Sequence, residues 1–283
     1  MKYFPNLVES LQKTNNDNFI VCDFSPPKSG ISKSMELATL IHPDMFSVSY
    51  NPGRSVKMNP VFASFWIQDE TDISSVFTLS TKDMNKQALQ GLLLGAQMLG
   101  LTSVIFVMGD TPSVNSISTT VALELTKKMN QGVDFANNKL EYPTNFCIGS
   151  TFDISRNWDE EVILTQRKIH AGSDFLFAQA QFDILKVEQF LEYYRKSIGT
   201  YIDIPILWGV QMMMKGSKAF TSIPDHIEHD LRESRSSVDI TLDIIKQYNN
   251  CNIDSFYLLP PFFKNGRRDY ALAEKLISAL IYK

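Results

Sequence analysis

Three polar residues close apolar runs in this chain: Asp23 follows FIVC and precedes FSPPKSG, Asp110 follows SVIFVMG, and Gln179 follows FLFA. A carboxylate at the end of a buried strand has packing on one side and water on the other. Partial burial disfavours its ionised form, which lets it exchange a proton near neutral pH. Asp23 and Asp110 are therefore the candidate acid–base groups. The Gln179 amide offers a donor and an acceptor side by side, the pattern that reads an amide-like heterocycle. Each aspartate taken alone is explained equally well as a helix N-cap in a strand-to-helix loop. A fourth run ends in Thr78-Leu79-Ser80.

Other chemistries find little support. Neither GxGxxG nor GxxxxGK[ST] occurs, so a bound dinucleotide must be held without a glycine-rich phosphate loop, and no serine nucleophile elbow occurs either. His226 and His229 lie three apart, a spacing that lets a helix present both to a metal. No third ligand is near them, and a polar helix face explains them better, so no metal is expected. His170 falls late in a helix, where the dipole favours it. Met212, Met213 and Met214 could line a pocket for a flat ring, although core packing uses the same soft side chains.

The elements that must position these residues are legible as an alternation. Short β-rich apolar runs occur at 19–24, 46–50, 75–79, 103–108, 146–150, 175–179, 205–210 and 255–259. Several are nearly unbroken in hydrophobicity, as parallel strands covered on both faces tend to be. Helical periodicity follows at 82–99, 117–129, 158–171, 184–197, 238–248 and 269–281. The first of these carries an apolar stripe of Ala88, Leu89, Leu92, Leu93, Ala96 and Leu99, with Gly100 as a stop. Between Val210 and Asp239 only a short helix at 224–232 is expected. Alternating strands and helices predict a parallel sheet, and eight such units match a closed (β/α)8 barrel. No linker or composition break divides residues 1–283, so one domain is expected. Such barrels place catalytic groups at the C-terminal ends of strands, where the three polar residues sit.

Composition narrows the partners. The chain has 283 residues, 44% hydrophobic and 20% charged, enough for a continuous core. Its net charge of -4 and isoelectric point near 5.6 argue against nucleic acid. MKYFPNLVESLQKTNNDNF lacks a signal-peptide pattern, and no apolar run approaches the ~20 residues that span a bilayer. Cys22, Cys147 and Cys251 are far apart without CxxC spacing, which suggests neither a disulfide framework nor a thiolate metal site. A reducing cytoplasm is the expected home, with no membrane partner. A homo-oligomer or a partner subunit is compatible with the general tendency of such enzymes to associate.

Read together, the strand ends resemble the methylenetetrahydrofolate reductase family over nearly the whole chain, most of all the reductase half of bifunctional bacterial homocysteine methyltransferase/reductases. The segments that carry the resemblance are DFSPPKSG at 23–30, SVSYNPGRSVKMNP at 47–60, TLSTKDMNKQALQGLLLGAQMLGLTSVIFVMGDTP at 78–112, RKIHAGSDFLFAQAQFD at 167–183 and YLLPPF at 257–262. The resemblance implies noncovalent FAD, reduced by NAD(P)H or another reductant, and hydride transfer to 5,10-methylenetetrahydrofolate to give 5-methyltetrahydrofolate. It implies that Asp23 stands for an acidic residue that assists protonation and ring opening of the folate. Asp110 stands for the aspartate of a GD motif that contacts the pterin and tunes the flavin, and Gln179 for a glutamine that hydrogen-bonds the folate. Gln211, in WGVQMMM, joins the expected substrate contacts. Ser49, Thr78, Val107, Met108, Gly109, Arg156 and Lys168 are the implied flavin contacts, with Lys168 or Arg156 facing the diphosphate.

The chain departs from the family pattern at Thr78, where histidine is common, and at Lys82 and Met84, where arginines are common. The WGVQMMM strand also lacks the family's proline-bearing segment, and the helix after it reads as shortened. Two further classes fit the same residues: a flavin-free tetrahydrofolate-dependent methyltransferase on the same barrel, and a noncatalytic subunit of a reductase complex.

Overall fold

The computed structural model describes residues 2–14, 17–50, 55–109, 116–264 and 266–281. Asp110 lies outside the described residues. The eight strands are β1 (Phe19–Phe24), β2 (Met45–Val48), β3 (Ser75–Ser80), β4 (Ser103–Val107), β5 (Cys147–Phe152), β6 (Phe175–Ala178), β7 (Ile206–Gln211) and β8 (Ser255–Leu259). Every neighbouring pair is parallel, and β8 returns to pair with β1, so the sheet closes into a barrel in sequence order. Each strand lies within two residues of its expected bounds.

The outer helices follow the expected units: α3 (Lys86–Met98), α4 (Thr119–Asn130), α5 (Trp158–His170), α6 (Ile184–Ile198), α7 (Asp225–Arg232), α8 (Ser237–Asn249) and α9 (Tyr270–Ile281). The β7–β8 connection carries two helices. The short α7 buries only Ile227, while the longer α8 packs on the barrel through Ile240, Ile244, Ile245 and Tyr248. The helix that reads as shortened after β7 is thus followed by a full packing helix.

Two α-helices lack a counterpart in the sequence expectations, as does the 3-10 helix Ser32–Leu40 between β1 and β2. Helix α1 (Leu7–Lys13) places Leu7 among the residues at the barrel's interior, and the Leu7 N–H donates to the buried Ser103 Oγ at 2.9 Å. It stoppers the N-terminal end of the barrel. Helix α2 (Pro60–Thr71), PVFASFWIQDET, has apolar residues on several faces and so lacks a clean stripe. Its start is nevertheless well signalled, since Asn59 accepts from the Val61 N–H at 2.9 Å and Pro60 occupies the first turn.

Strand parity divides the core. Phe19, Val21, Met45, Val76, Ile105, Cys147, Phe175, Phe177 and Leu207 form the interior cluster. Successive strand residues point to opposite faces. The alternate residues pack outward under the helices, for example Cys22, Phe24, Phe46 and Val48. A Cβ at Gly149 would lie 2.2 Å from the Phe175 ring, so glycine there leaves room for the phenylalanine that fills the interior. Among the described residues no helix is long and apolar enough to cross a membrane.

Candidate functional site

Counting by twos from the interior cluster carries the inward face to the C-terminal ends of the strands. Asp23, Thr78, Val107, Thr151 and Gln211 fall on it, with Ser49 and Gln179 continuing the same parity one residue beyond β2 and β6. Most of these inward residues at the C-terminal strand ends are polar. Inside one rim, however, these residues separate into two groups.

The first group surrounds a cavity of about 380 Å³ over β4, β5 and β6, lined by Val107, Met108, Gly109, Thr151, Arg156, Lys168 and Gln179. Six of the residues proposed from sequence meet here. Gly109 has φ +85, and a Cβ on it would lie 2.7 Å from both Lys82 Cδ and Ser80 Oγ, so the backbone passes where a side chain does not fit. Met108 and Gln179 are exposed at the cavity face.

One side of this cavity is suited to an anion. Lys168 is buried, donates its Nζ proton to the Thr151 carbonyl, and has its pKa pulled down by burial against the opposing pull of Glu161. Arg156 is solvent-facing; its Nε lies 3.6 Å from Asp153 and its Nη1 3.9 Å from the buried Glu161. Glu161 is itself fixed by the Asp153 N–H at 3.0 Å. The start of α4 completes the wall through Ser118, Thr119 and Thr120. The Ser118 hydroxyl accepts from the Val121 N–H, and the first-turn amides of a twelve-residue helix supply further donors and the positive end of its dipole.

The second group centres on Asp23, which is 1% exposed. The expectation of a partly buried carboxylate is corrected in two respects: it is fully buried, and it is paired. Tyr257 Oη donates to Oδ1 at 2.7 Å, and Arg268 Nη2 lies 2.7 Å from Oδ2. The Arg268 contact is an ion pair by distance but lies outside hydrogen-bond alignment, so Oδ2 retains an unfilled acceptor direction. Burial pushes the Tyr257 phenol well up, with Asp23 adding to the shift, so the phenol remains a donor. Burial pulls Arg268 down, but Asp23 and the neighbouring tyrosines outweigh it and hold the guanidinium charged.

Three further expected contacts have local structural partners. Ser49 donates both its N–H and its hydroxyl to the Phe24 carbonyl, at 3.0 and 3.2 Å, and so clasps the end of β2 to β1. Gln211 donates to the Lys218 carbonyl at 2.7 Å and accepts from the Phe220 N–H at 2.9 Å, bracing the loop after β7 with both ends of its amide. Thr78 pairs with Ile105 within the sheet, and neither it nor Ser49 is in the described lining of the first cavity. Met212 and Met213 are buried in the outer core, as the packing explanation requires. His226 and His229 are exposed on α7.

Sequence reasoning missed Arg268 and Tyr257. Both follow from a rule that was available: a buried carboxylate requires a partner. Tyr257 belongs to YLLPPF, on the strand that closes the barrel beside β1. Arg268 sits in the last strand-to-helix loop, which belongs to the same rim.

A closed parallel barrel with a cationic cavity and a buried, paired carboxylate at the C-terminal ends of its strands has the layout of the (β/α)8 enzymes. Within that class, the chain belongs to the methylenetetrahydrofolate reductase family, whose sequence pattern matches residues 7–237. It is 23% identical over 216 residues to the 5,10-methylenetetrahydrofolate reductase of Buchnera aphidicola subsp. Schizaphis graminum, covering 74% of this chain and 70% of that protein. The corresponding enzyme from the Acyrthosiphon pisum subspecies is 22% identical over 207 residues, with coverage of 71% and 68%. Among solved structures, an uncharacterized Clostridium thermocellum protein that binds two copies of 5-methyl-5,6,7,8-tetrahydrofolic acid superposes with a TM-score of 0.66. That match has 15% identity and covers 96% of this chain and 99% of the other. A 2,3-dimethylmalate lyase superposes at 0.51 with 10% identity, covering 95% and 82%, a likeness of fold.

Proposed function

We propose that the protein is an oxidoreductase that uses FAD to reduce 5,10-methylenetetrahydrofolate to 5-methyltetrahydrofolate, with a reduced nicotinamide or another donor supplying electrons. The observation that carries this reading is the gathering of Val107, Met108, Gly109, Arg156, Lys168 and Gln179 around one cavity in a member of this family. The donor set fits FAD. Lys168, Arg156 and the first turn of α4 would hold a diphosphate without a glycine-rich loop, and the side-chain-free backbone at Gly109 permits close approach of a flat ring. A flavin held by these residues would supply hydride chemistry to the methylene carbon.

The chain's own residues supply orientation and a proton. The Gln179 amide can pair with the pterin's amide edge. Asp110, the residue after Gly109, is proposed as a second pterin contact. Asp23 serves as the acid–base group at Oδ2, while Tyr257 holds Oδ1 and fixes the carboxyl plane. Asp23 is buried and paired with Arg268, so Oδ2 would have to be uncovered before a substrate nitrogen could reach it.

The visible spectrum of the purified protein, before and after incubation with FAD, tests the reading. A bound-flavin band is expected, bleached anaerobically by NADH or NADPH. No bound flavin under either condition, together with folate binding and methyl transfer, would replace this reading with the flavin-free methyltransferase. Absence of folate binding as well would leave the noncatalytic subunit.

A further inference from the structure

The outer helices of a soluble barrel normally turn charged residues to water. Helices α2 and α3 do not. Between Pro60 and Gln68, α2 carries no charge, and its outward residues include Phe62, 59% exposed, and Phe65, 37% exposed. In α3 the only charge is Lys86, in the first turn, and the exposed positions beyond it are Gln87, Ala88, Gly91, Leu94 and Met98. The two helices lie side by side, since Val61 of α2 belongs to the same buried cluster as Leu89 and Leu93 of α3. A chain with 20% charged residues thus leaves one two-helix face almost uncharged.

The second observation is the relief of that face. Phe62 and Phe65 lie three apart and rise on one side of α2. Beside them, Ala88, Gly91 and Gly95 leave a hollow along α3, and a Cβ built at Gly91 or Gly95 meets nothing within 4 Å. Neither glycine has a positive φ, so the backbone does not require them, and mid-helix glycine weakens a helix relative to alanine. Helices of 12 and 13 residues are about 18–20 Å long and pack roughly 10 Å apart, so the face covers on the order of 400 Å². Apolar patches of that size on a single chain often mark interaction sites.

We propose that this face joins two copies of the chain across a twofold axis running along the helices, with Phe62 and Phe65 of each copy seated over Ala88 and Gly91 of the other. The occupant is a second copy because the face carries both halves of the fit. Knobs and hollow side by side match themselves after a twofold rotation, which is what an isologous contact needs. The two helices run the same way and each ends just before its next strand, so they sit level. Charge agrees with the pairing. The last turn of α2, with Asp69 and Glu70, meets the uncharged Gln97 and Met98, and Lys86 meets Pro60 and Val61, so no like charges oppose. The face is small for a stable interface, so association is reversible, in the micromolar range. This pairing does not depend on the proposed reaction.

Sedimentation velocity of the full-length protein from about 1 to 100 µM tests the proposal, with a monomer–dimer equilibrium expected in that range. Two variants separate the halves of the fit. The double substitution Phe62→Gln, Phe65→Gln removes the knobs, and Gly91→Gln fills the hollow. Each variant alone is expected to dimerise at least about tenfold more weakly than the wild type. Gly91→Gln should melt no lower than the wild type, because glutamine is the better helix former, and this separates a lost contact from a lost fold. An equimolar mixture of the two variants can form a dimer that keeps one of the two knob-and-hollow contacts. It should therefore associate more strongly than either variant by itself. A wild-type chain that stays monomeric throughout the range overturns the proposal, as does dimerisation unchanged in either variant, or a mixture no heavier than its components.

Discussion

The two sides of the barrel's rim handle charge in opposite ways. Over β4–β6, cations face an open cavity: Lys168 is anchored on a backbone carbonyl, and Arg156 leans loosely on Asp153 and Glu161. At the β8–β1 seam, charge is locked beneath the surface, with Asp23 held by Tyr257 and Arg268. The open side is built to receive a group. The closed side already contains both members of its ion pair, and the proposed reaction requires it to rearrange. The contrast separates residues left open to a ligand from residues already paired.

Removing one member of the closed pair should have the largest effect. Arg268→Met leaves Asp23 buried without its counterion, which costs about 3–5 kcal/mol in comparable settings. A denaturant titration should show the loss, and adding Asp23→Asn to the same chain should restore much of it. A single variant as stable as the wild type would mean that the pair is not locked.

On the open side the signs should divide. Lys168→Met removes a charge that burial already disfavours, so the flavin-free protein should keep its stability. FAD affinity should fall roughly 10- to 100-fold, the scale of a charge-assisted hydrogen bond. Equal FAD affinity in the two proteins would remove Lys168 from the diphosphate site. The smallest effect is expected from Gly109→Ala, which forces a side chain into a left-handed conformation at a cost of about 1–2 kcal/mol. Because the crowding atoms include the flexible Lys82 chain, the barrel should survive, and the defect should register as weaker flavin binding in a fluorescence titration.

The difference between the two sides also explains what the sequence made legible. A strand announces itself by local hydrophobicity, and all eight were visible. The open cavity is built from residues at or just beyond strand ends, such as Val107, Gly109 and Gln179, so finding the strands nearly finds the site. Lys168 was visible as a basic residue in a segment with family character. The closed side depends on pairings across the chain: Asp23 meets Tyr257 and Arg268 only because β8 closes against β1. No local pattern contains that contact. Helix α2 was missed for a related reason, since apolar residues on several faces carry no helical stripe, although Asn59 and Pro60 mark its start. The assignments of Ser49 and Gln211 illustrate the converse, because an inward-facing polar residue can be occupied by its neighbours' backbone.

The most direct measurement is an anaerobic half-reaction. FAD-loaded protein is reduced, mixed with 5,10-methylenetetrahydrofolate, and followed by the return of the oxidised flavin band together with assay of the folate product. The band should return with one equivalent of 5-methyltetrahydrofolate. In Asp23→Asn this step should slow by about 10²–10⁴-fold, while reduction of the flavin by the nicotinamide is retained. A wild-type flavin that stays reduced in the presence of the folate, with no 5-methyltetrahydrofolate formed, would contradict the proposed reaction.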